Sequence, residues 1–185
     1  QLRCGLAECI KHAMLGHQEM MDFIQENAPS ILERDSDVLI ELVTKSASIK
    51  AAVVSQDERE QGGRALLNLG HTFAHALEPM QELDLFHGEA VSIGLVAAVT
   101  CAEAMGLVDA ERVDQIRQVL TMVGLPVSLP LPVSIDSVLQ IMRVDKKNRD
   151  SAIRLVLPTN SGAEIVTEID DTALALAWTS VGASA

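Results

Sequence analysis

Residues 64–78 read RALLNLGHTFAHALE, from Arg64 to Glu78. Leu66, Leu67, Phe73 and Leu77 recur at helical spacing and Pro79 follows, which predicts a helix from about Ala65 to Glu78. His71 and His75 are four residues apart, Asn68 lies three before His71, and Arg64 seven before it. On one continuous helix these four side chains form a polar stripe on an otherwise apolar surface. Two imidazoles one turn apart can face a common ion or ligand. HxxxH alone matches many helices by chance, so the weight rests on four aligned polar residues rather than on two.

Working outward, the same period recurs on both sides. Upstream, Leu6, Ile10 and Ala13-Met14 predict a helix from Leu2 to about Leu15, stopped by Gly16. A short helix from Gln18 to Glu26 ends before Pro29. Asp35-Ser36-Asp37 offers an N-cap to a long helix, Val38 to Val54, with Leu39, Leu42, Val43, Ile49 and Val53 on one side. Polar QDEREQGG (56–63) reads as a loop. Downstream, His87-Gly88-Glu89 opens a helix from Ala90 to Met105 with Gly106 as its stop, and Ala110 to Val123 is amphipathic and stops at Gly124. Pro126, Pro130 and Pro132 mark an extended connector, and Ile135 to Met142 a short helix. Near the end, Ile153–Leu157 and Glu164–Ile169 read as two strands of a hairpin, and Asp170-Asp171 caps a last helix through Trp178. The fold class expected is therefore mostly α: one multi-helical domain over residues 1–185 with a small β-hairpin near the C-terminus.

Composition agrees. The chain has 185 residues, is 48% hydrophobic and only 2% aromatic, so aliphatic side chains must fill one substantial core. The net charge of −12 and the lack of a basic stripe argue against nucleic-acid binding. The longest apolar run, Ala90–Ala102, is too short for a membrane span. Cys4, Cys9 and Cys101 are odd in number and form no CxxC pair, which suits free thiols in a reducing cytoplasm better than disulfides or a Cys-ligated zinc. The chain begins without Met and opens directly into a helical pattern, so an upstream half is expected.

Three more segments carry chemistry. A His at position 87 can join His71 as a ligand, imidazole being suited to zinc, though His87-Gly88-Glu89 also describes an ordinary helix start. Glu8 and Lys11 are three apart on the first helix, a spacing common for surface ion pairs, but Leu6 and Ile10 flank them and a half-buried carboxylate there can complete a His2Glu site with one position open for substrate. Lys50 falls toward the apolar side of the long helix, and Lys146-Lys147 sit in a loop-like segment. With Lys11 and Arg64 they suit a phosphate or carboxylate ligand if they converge, although a single Lys is usually a solvated charge. Glu60 is either an acidic partner to that cluster or a polar loop residue.

Taken in order, GLAE-x-x-K (5–11), K-x-x-V-V-x-x-D-E-R-E-x-G-x-R (50–64), LLNLGHT-x-x-HALE (66–78), HGEAV (87–91) and VDKK (144–147) resemble the 3-dehydroquinate synthase family from Leu2 to about Leu157. The resemblance implies that Glu8, His71 and His87 bind one Zn2+ or Co2+. It implies that His75 is an active-site histidine near the transferred proton and phosphate, and that Lys11, Lys50, Glu60, Arg64, Asn68 and one lysine of the DKK loop, Lys146 or Lys147, line the substrate pocket. The implied reaction converts 3-deoxy-D-arabino-heptulosonate 7-phosphate to 3-dehydroquinate with loss of phosphate, in the shikimate pathway. NAD+ takes a hydride and returns it. His12 stands where the family often has an aromatic residue. No strand with a glycine-rich phosphate loop is present, so the NAD-binding domain is expected on the missing upstream half, as a partner without which the chain is inactive. A homodimer is left open.

Two rivals remain. Another sugar-phosphate cyclase, making a deoxy-inosose or a valiolone, would share the metal ligands and differ in the pocket; His75 and the DKK loop favour the dehydroquinate branch. Iron-dependent alcohol dehydrogenases share the general architecture but need fewer cationic pocket residues. A non-catalytic helical binding module would bind no metal. Convergence of Glu8, His71 and His87 separates the last from the enzymes.

Overall fold

The computed structural model describes residues 1–57, 62–147 and 154–184, with the backbone alone for residues 56 and 144–147. It is mostly helical, as the periodicity predicts: α1 (Leu2–Ala13), α2 (Gln18–Leu32), α3 (Ser36–Gln56), a 3-10 segment Gly63–Asn68, α4 (His71–Leu77), α5 (His87–Ala104), α6 (Ala110–Met122), α7 (Ile135–Lys147) and α8 (Asp171–Ser180). Asp35 caps α3 by accepting from the Asp37 and Val38 amides, and Asp170 caps α8 through Thr172. Gly106 and Gly124 carry φ values of 73° and 72° just past α5 and α6, the left-handed turn that ends a helix.

Helix α5 is the axle. Its sequence has no charge between Glu89 and Glu103, and it is buried on nearly every face, packed by α1, α4, α6 and α8. A helix apolar all round belongs at the centre of a core; no helix among the described residues is long and apolar enough to cross a membrane. Trp178 of α8 is fully buried, its ring 5.4 Å from Phe73 of α4 in an edge-on contact at 65°.

Several boundaries differ from the sequence reading. α2 runs through Pro29 because the proline sits in its last turn. There it forfeits one hydrogen bond while Ala28 and Ile31 stay buried. On α3, Leu42 and Ile49 are buried but Val43 is 60% exposed, and Lys50 is exposed rather than on the apolar side. α7 continues to Lys147, so the segment read as a loop has helical backbone up to that residue. The expected helix 65–78 is two pieces: a 3-10 segment, then α4, broken at Gly70 with φ 76°. The cause is the crossing with α5, where a Cβ on Gly94 would lie 2.3 Å from the Gly70 carbonyl oxygen.

The hairpin pairs β2 (Leu155–Thr159) with β3 (Gly162–Val166) in an antiparallel register running from Leu155↔Val166 to Thr159↔Gly162. The turn is therefore Asn160-Ser161, and residues 167–169 have no strand opposite them among the described residues. Ile153 lies outside those residues. A parallel pair too short to be read from sequence, β1 (Val133–Ser134) with β4 (Ala183–Ser184), ties the proline-rich connector to the C-terminus. Cys4, Cys9 and Cys101 are free thiols.

One buried contact joins α1 to α3 and has a consequence for stability. His12 is 4% exposed and its Nδ1 lies 2.8 Å from the Ser46 hydroxyl, while its Nε2 is buried without a partner. Burial, reinforced by the Lys11 charge, pushes its pKa down to about 4. The unfolded chain takes up this proton near pH 6.5 and the folded chain only near pH 4. Stability is thus complete above the first value and falls as pH drops toward the second, by about 3 kcal/mol in all. Urea unfolding of wild type and His12→Phe from neutral pH to pH ~4.5 checks this: the variant loses stability less steeply. Parallel pH profiles contradict it.

Candidate metal centre

Three segments meet at one end of α5. α1 crosses the start of α5 so closely that a Cβ on Gly88 would lie 2.2 Å from Cys4 Cα. That crossing puts Glu8, one turn along α1 from Cys4, beside His87, the first residue of α5. The Gly70–Gly94 crossing brings in His71, the first residue of α4. The ligand atoms of Glu8, His71 and His87 all lie within 4.8 Å of one another.

Glu8 is shared between two roles. Its Oε2 accepts from Lys11 Nζ at 2.6 Å, while Oε1 lies 3.5 Å from His71 Nε2 and 4.0 Å from His87 Nε2. That Oε1 is buried and has no hydrogen-bond partner. Burial acts to raise the Glu8 pKa, but the Lys11 ammonium, with His71 and His12, outweighs it and the carboxyl stays below its ordinary value. Burial lowers the Lys11 pKa; Glu8 opposes the shift and Lys50 adds to it. His71 is lowered mainly by burial and next by Lys11, which favours the neutral ring a metal needs.

Both imidazoles are oriented from behind. His71 Nδ1 is 3.1 Å from the Leu69 carbonyl, to which its N–H donates. His87 Nδ1 is 2.7 Å from Glu78 Oε1. With each Nδ1 donating, each Nε2 presents a lone pair toward Glu8 Oε1. Two imidazole Nε2 atoms and one carboxylate oxygen without a hydrogen-bond partner fit a divalent ion of the zinc type.

The other sequence-predicted residues distribute as follows. His75 is exposed, its ring 5.7 Å from that of His71 and perpendicular to it, outside the ligand trio. Lys50 is exposed on α3, near enough for its charge to depress both Lys11 and His12. Arg64 and Asn68 sit on the 3-10 segment, half-buried and exposed respectively, so they do not extend α4 as one stripe with the histidines. Glu60 lies outside the described residues, as do the side chains of Lys146 and Lys147. Two residues were missed. Asp57 accepts from the Gly62 and Arg64 amides at 2.7 and 3.1 Å and so anchors the start of the 3-10 segment. Glu78 is the second, in sequence terms only a helix end; its signal is a carboxylate at the close of the same stretch that carries both histidines.

Comparison with known proteins points one way. Residues 5–148 match the family described as 3-dehydroquinate synthase C-terminal. The chain is 41% identical to 3-dehydroquinate synthase from Thermodesulfovibrio yellowstonii over 85% of its own length and 44% of that protein. It is 40% identical to 3-dehydroquinate synthase from Ruminiclostridium cellulolyticum over 94% of its length and 48% of that protein. It thus spans about half the length of the curated relatives it matches. Among solved structures, a 2-epi-5-epi-valiolone synthase from Streptomyces hygroscopicus with NAD+ and Zn2+ bound superposes with a TM-score of 0.86 at 23% identity, covering 97% of this chain and 51% of that one. A 2-deoxy-scyllo-inosose synthase complexed with carbaglucose-6-phosphate, NAD+ and Co2+ gives 0.73 at 19% identity, over 94% and 50%. At these identities the structures speak for the fold.

Proposed function

Because the chain belongs to the 3-dehydroquinate synthase C-terminal family, we propose that it is the metal- and substrate-binding half of an enzyme converting 3-deoxy-D-arabino-heptulosonate 7-phosphate to 3-dehydroquinate and phosphate. The observation that carries this reading is the convergence of Glu8, His71 and His87 around an oxygen with no other partner. That convergence disfavours a purely structural role for the three.

Glu8, His71 and His87 would hold the divalent ion, which supplies Lewis-acid activation and a template for substrate oxygens, while NAD+ on an N-terminal domain supplies the hydride chemistry. The remaining work falls to this chain's own side chains. Lys11 binds Glu8 Oε2 and keeps Oε1 the free ligand atom. Lys11, Lys50 and Arg64, with a lysine of the DKK segment, neutralise the phosphate and carboxylate of the sugar acid. Asn68 and Glu60 complete the lining. His75, exposed beside His71, would move a proton at the departing phosphate.

A related sugar-phosphate cyclase is the second reading, since such an enzyme would hold the metal with the same three ligands and differ in the pocket. The higher identity to the dehydroquinate enzymes weighs against it. Both readings place the cofactor on the other half of the protein, so the chain alone turns nothing over. The test is phosphate release from the heptulosonate phosphate by this chain, and by this chain joined to the N-terminal half of a relative. No turnover alone and turnover with 3-dehydroquinate as product in the joined form is expected. Turnover by the chain alone, or a joined form that acts only on other sugar phosphates, contradicts the proposal.

A further inference from the structure

His71 and His87 are held in different ways. The His71 side chain is 14% exposed and its ring is fixed by packing as well as by Leu69. The His87 side chain is 55% exposed and opens a helix, so packing, an edge contact with the His71 ring at 5.6 Å included, constrains its rotamers less. The polar contact that fixes its ring is Glu78 Oε1, 2.7 Å from Nδ1. Glu78 caps the C-terminal end of α4, whose first residue is His71, so one short helix carries a ligand at its start and the support for another ligand at its end.

Resting on the metal-centre reading above, we propose that Glu78 is a positioning residue for His87: its carboxylate accepts the Nδ1 proton, selects the tautomer with a free Nε2, and aims that lone pair at the ion. A carboxylate behind the ring also makes Nε2 a stronger donor to a cation. Without it, an exposed imidazole has two tautomers and several rotamers, and each productive binding event must first select one of them.

The test uses metal binding rather than turnover. Zn2+ affinity is measured by competition with a chromophoric chelator, and site geometry by the visible absorption of the Co2+ form. The variants are Glu78→Ala and Glu78→Gln, with Glu82→Ala as an exposed control. Glu78→Ala binds Zn2+ roughly 10- to 100-fold more weakly, with a weakened, shifted Co2+ spectrum. Glu78→Gln, whose amide oxygen still accepts from Nδ1, recovers most of the affinity and the spectrum. Glu82→Ala matches wild type. The buried Trp178 reports folding in each variant through its fluorescence. Glu78→Met, which keeps the side-chain length but offers only a weak thioether acceptor, reads the same way should the Ala variant fold poorly. Wild-type affinity and spectrum in Glu78→Ala or Glu78→Met, in a wild type that binds tightly, overturn this role alone. A wild type that binds neither ion removes the metal-centre reading and this inference with it.

Discussion

Gly94→Ala destabilises the chain by about 2–3 kcal/mol, although alanine is the better helix former by ~0.5–1 kcal/mol. Gly94 is fully helical and its Cβ would meet the Gly70 oxygen at 2.3 Å and the Ala74 nitrogen at 3.0 Å, both backbone atoms that cannot rotate away. Gly70 cannot yield either, because its left-handed φ of 76° sets the entry into α4 and a Cβ of its own would press on Leu95 at 2.9 Å. α4 must therefore move off α5 and carry His71 away from His87. Gly88→Ala acts on the other arm: its Cβ would sit 2.2 Å from Cys4 Cα and push α1, with Glu8, away from the start of α5. Gly5→Ala is the internal control, since nothing lies within 4 Å of that position in α1. There the same substitution stabilises by about 0.5–1 kcal/mol. Urea midpoints of the three variants measure the signs. A stabilised Gly94→Ala contradicts the packing described here.

Glu8→Gln abolishes metal binding and also costs about 3 kcal/mol of stability in the metal-free chain. The Lys11 side chain is only 4% exposed, and its ammonium is compensated by Glu8 at 2.6 Å. Removing the carboxylate charge leaves a buried cation without a counter-charge, the expensive way to break such a pair. Lys11→Met costs less, since the Glu8 side chain is 32% exposed and water or a bound cation can neutralise it. Added Zn2+ should restore Lys11→Met more than it stabilises wild type, and should do nothing for Glu8→Gln. The double variant regains much of the stability but none of the metal. Unfolding curves with and without Zn2+ measure all four chains; a Glu8→Gln variant as stable as wild type and still metal-binding contradicts the pairing.

The helices were legible because their signals are local. Asp35 and Asp170 are caps, Gly106 and Gly124 are stops, and the uncharged run after Glu89 is a core helix. What was missed is set by tertiary contact. The break at Gly70 comes from α5 packing against it, α2 continues one turn past Pro29 with Ile31 buried in the core, and the β1–β4 pair joins segments far apart in sequence. The site shows the same division. HxxxH placed His71 beside His75, yet the partners of His71 in space are Glu8 and His87, from other helices, which no periodicity connects. The resemblance to a known family supplied that grouping. Glu78 escaped both kinds of reading, because its role depends on where His87 lies and not on its own neighbours in the chain.

The most direct test of the metal centre is the metal content of the purified chain against the triple variant Glu8→Ala/His71→Ala/His87→Ala, repeated on the chain joined to an N-terminal half. About one Zn2+ per wild-type chain, lost in the triple variant, is the expected result. Equal metal in wild type and triple variant, or none in wild type in either form, contradicts it.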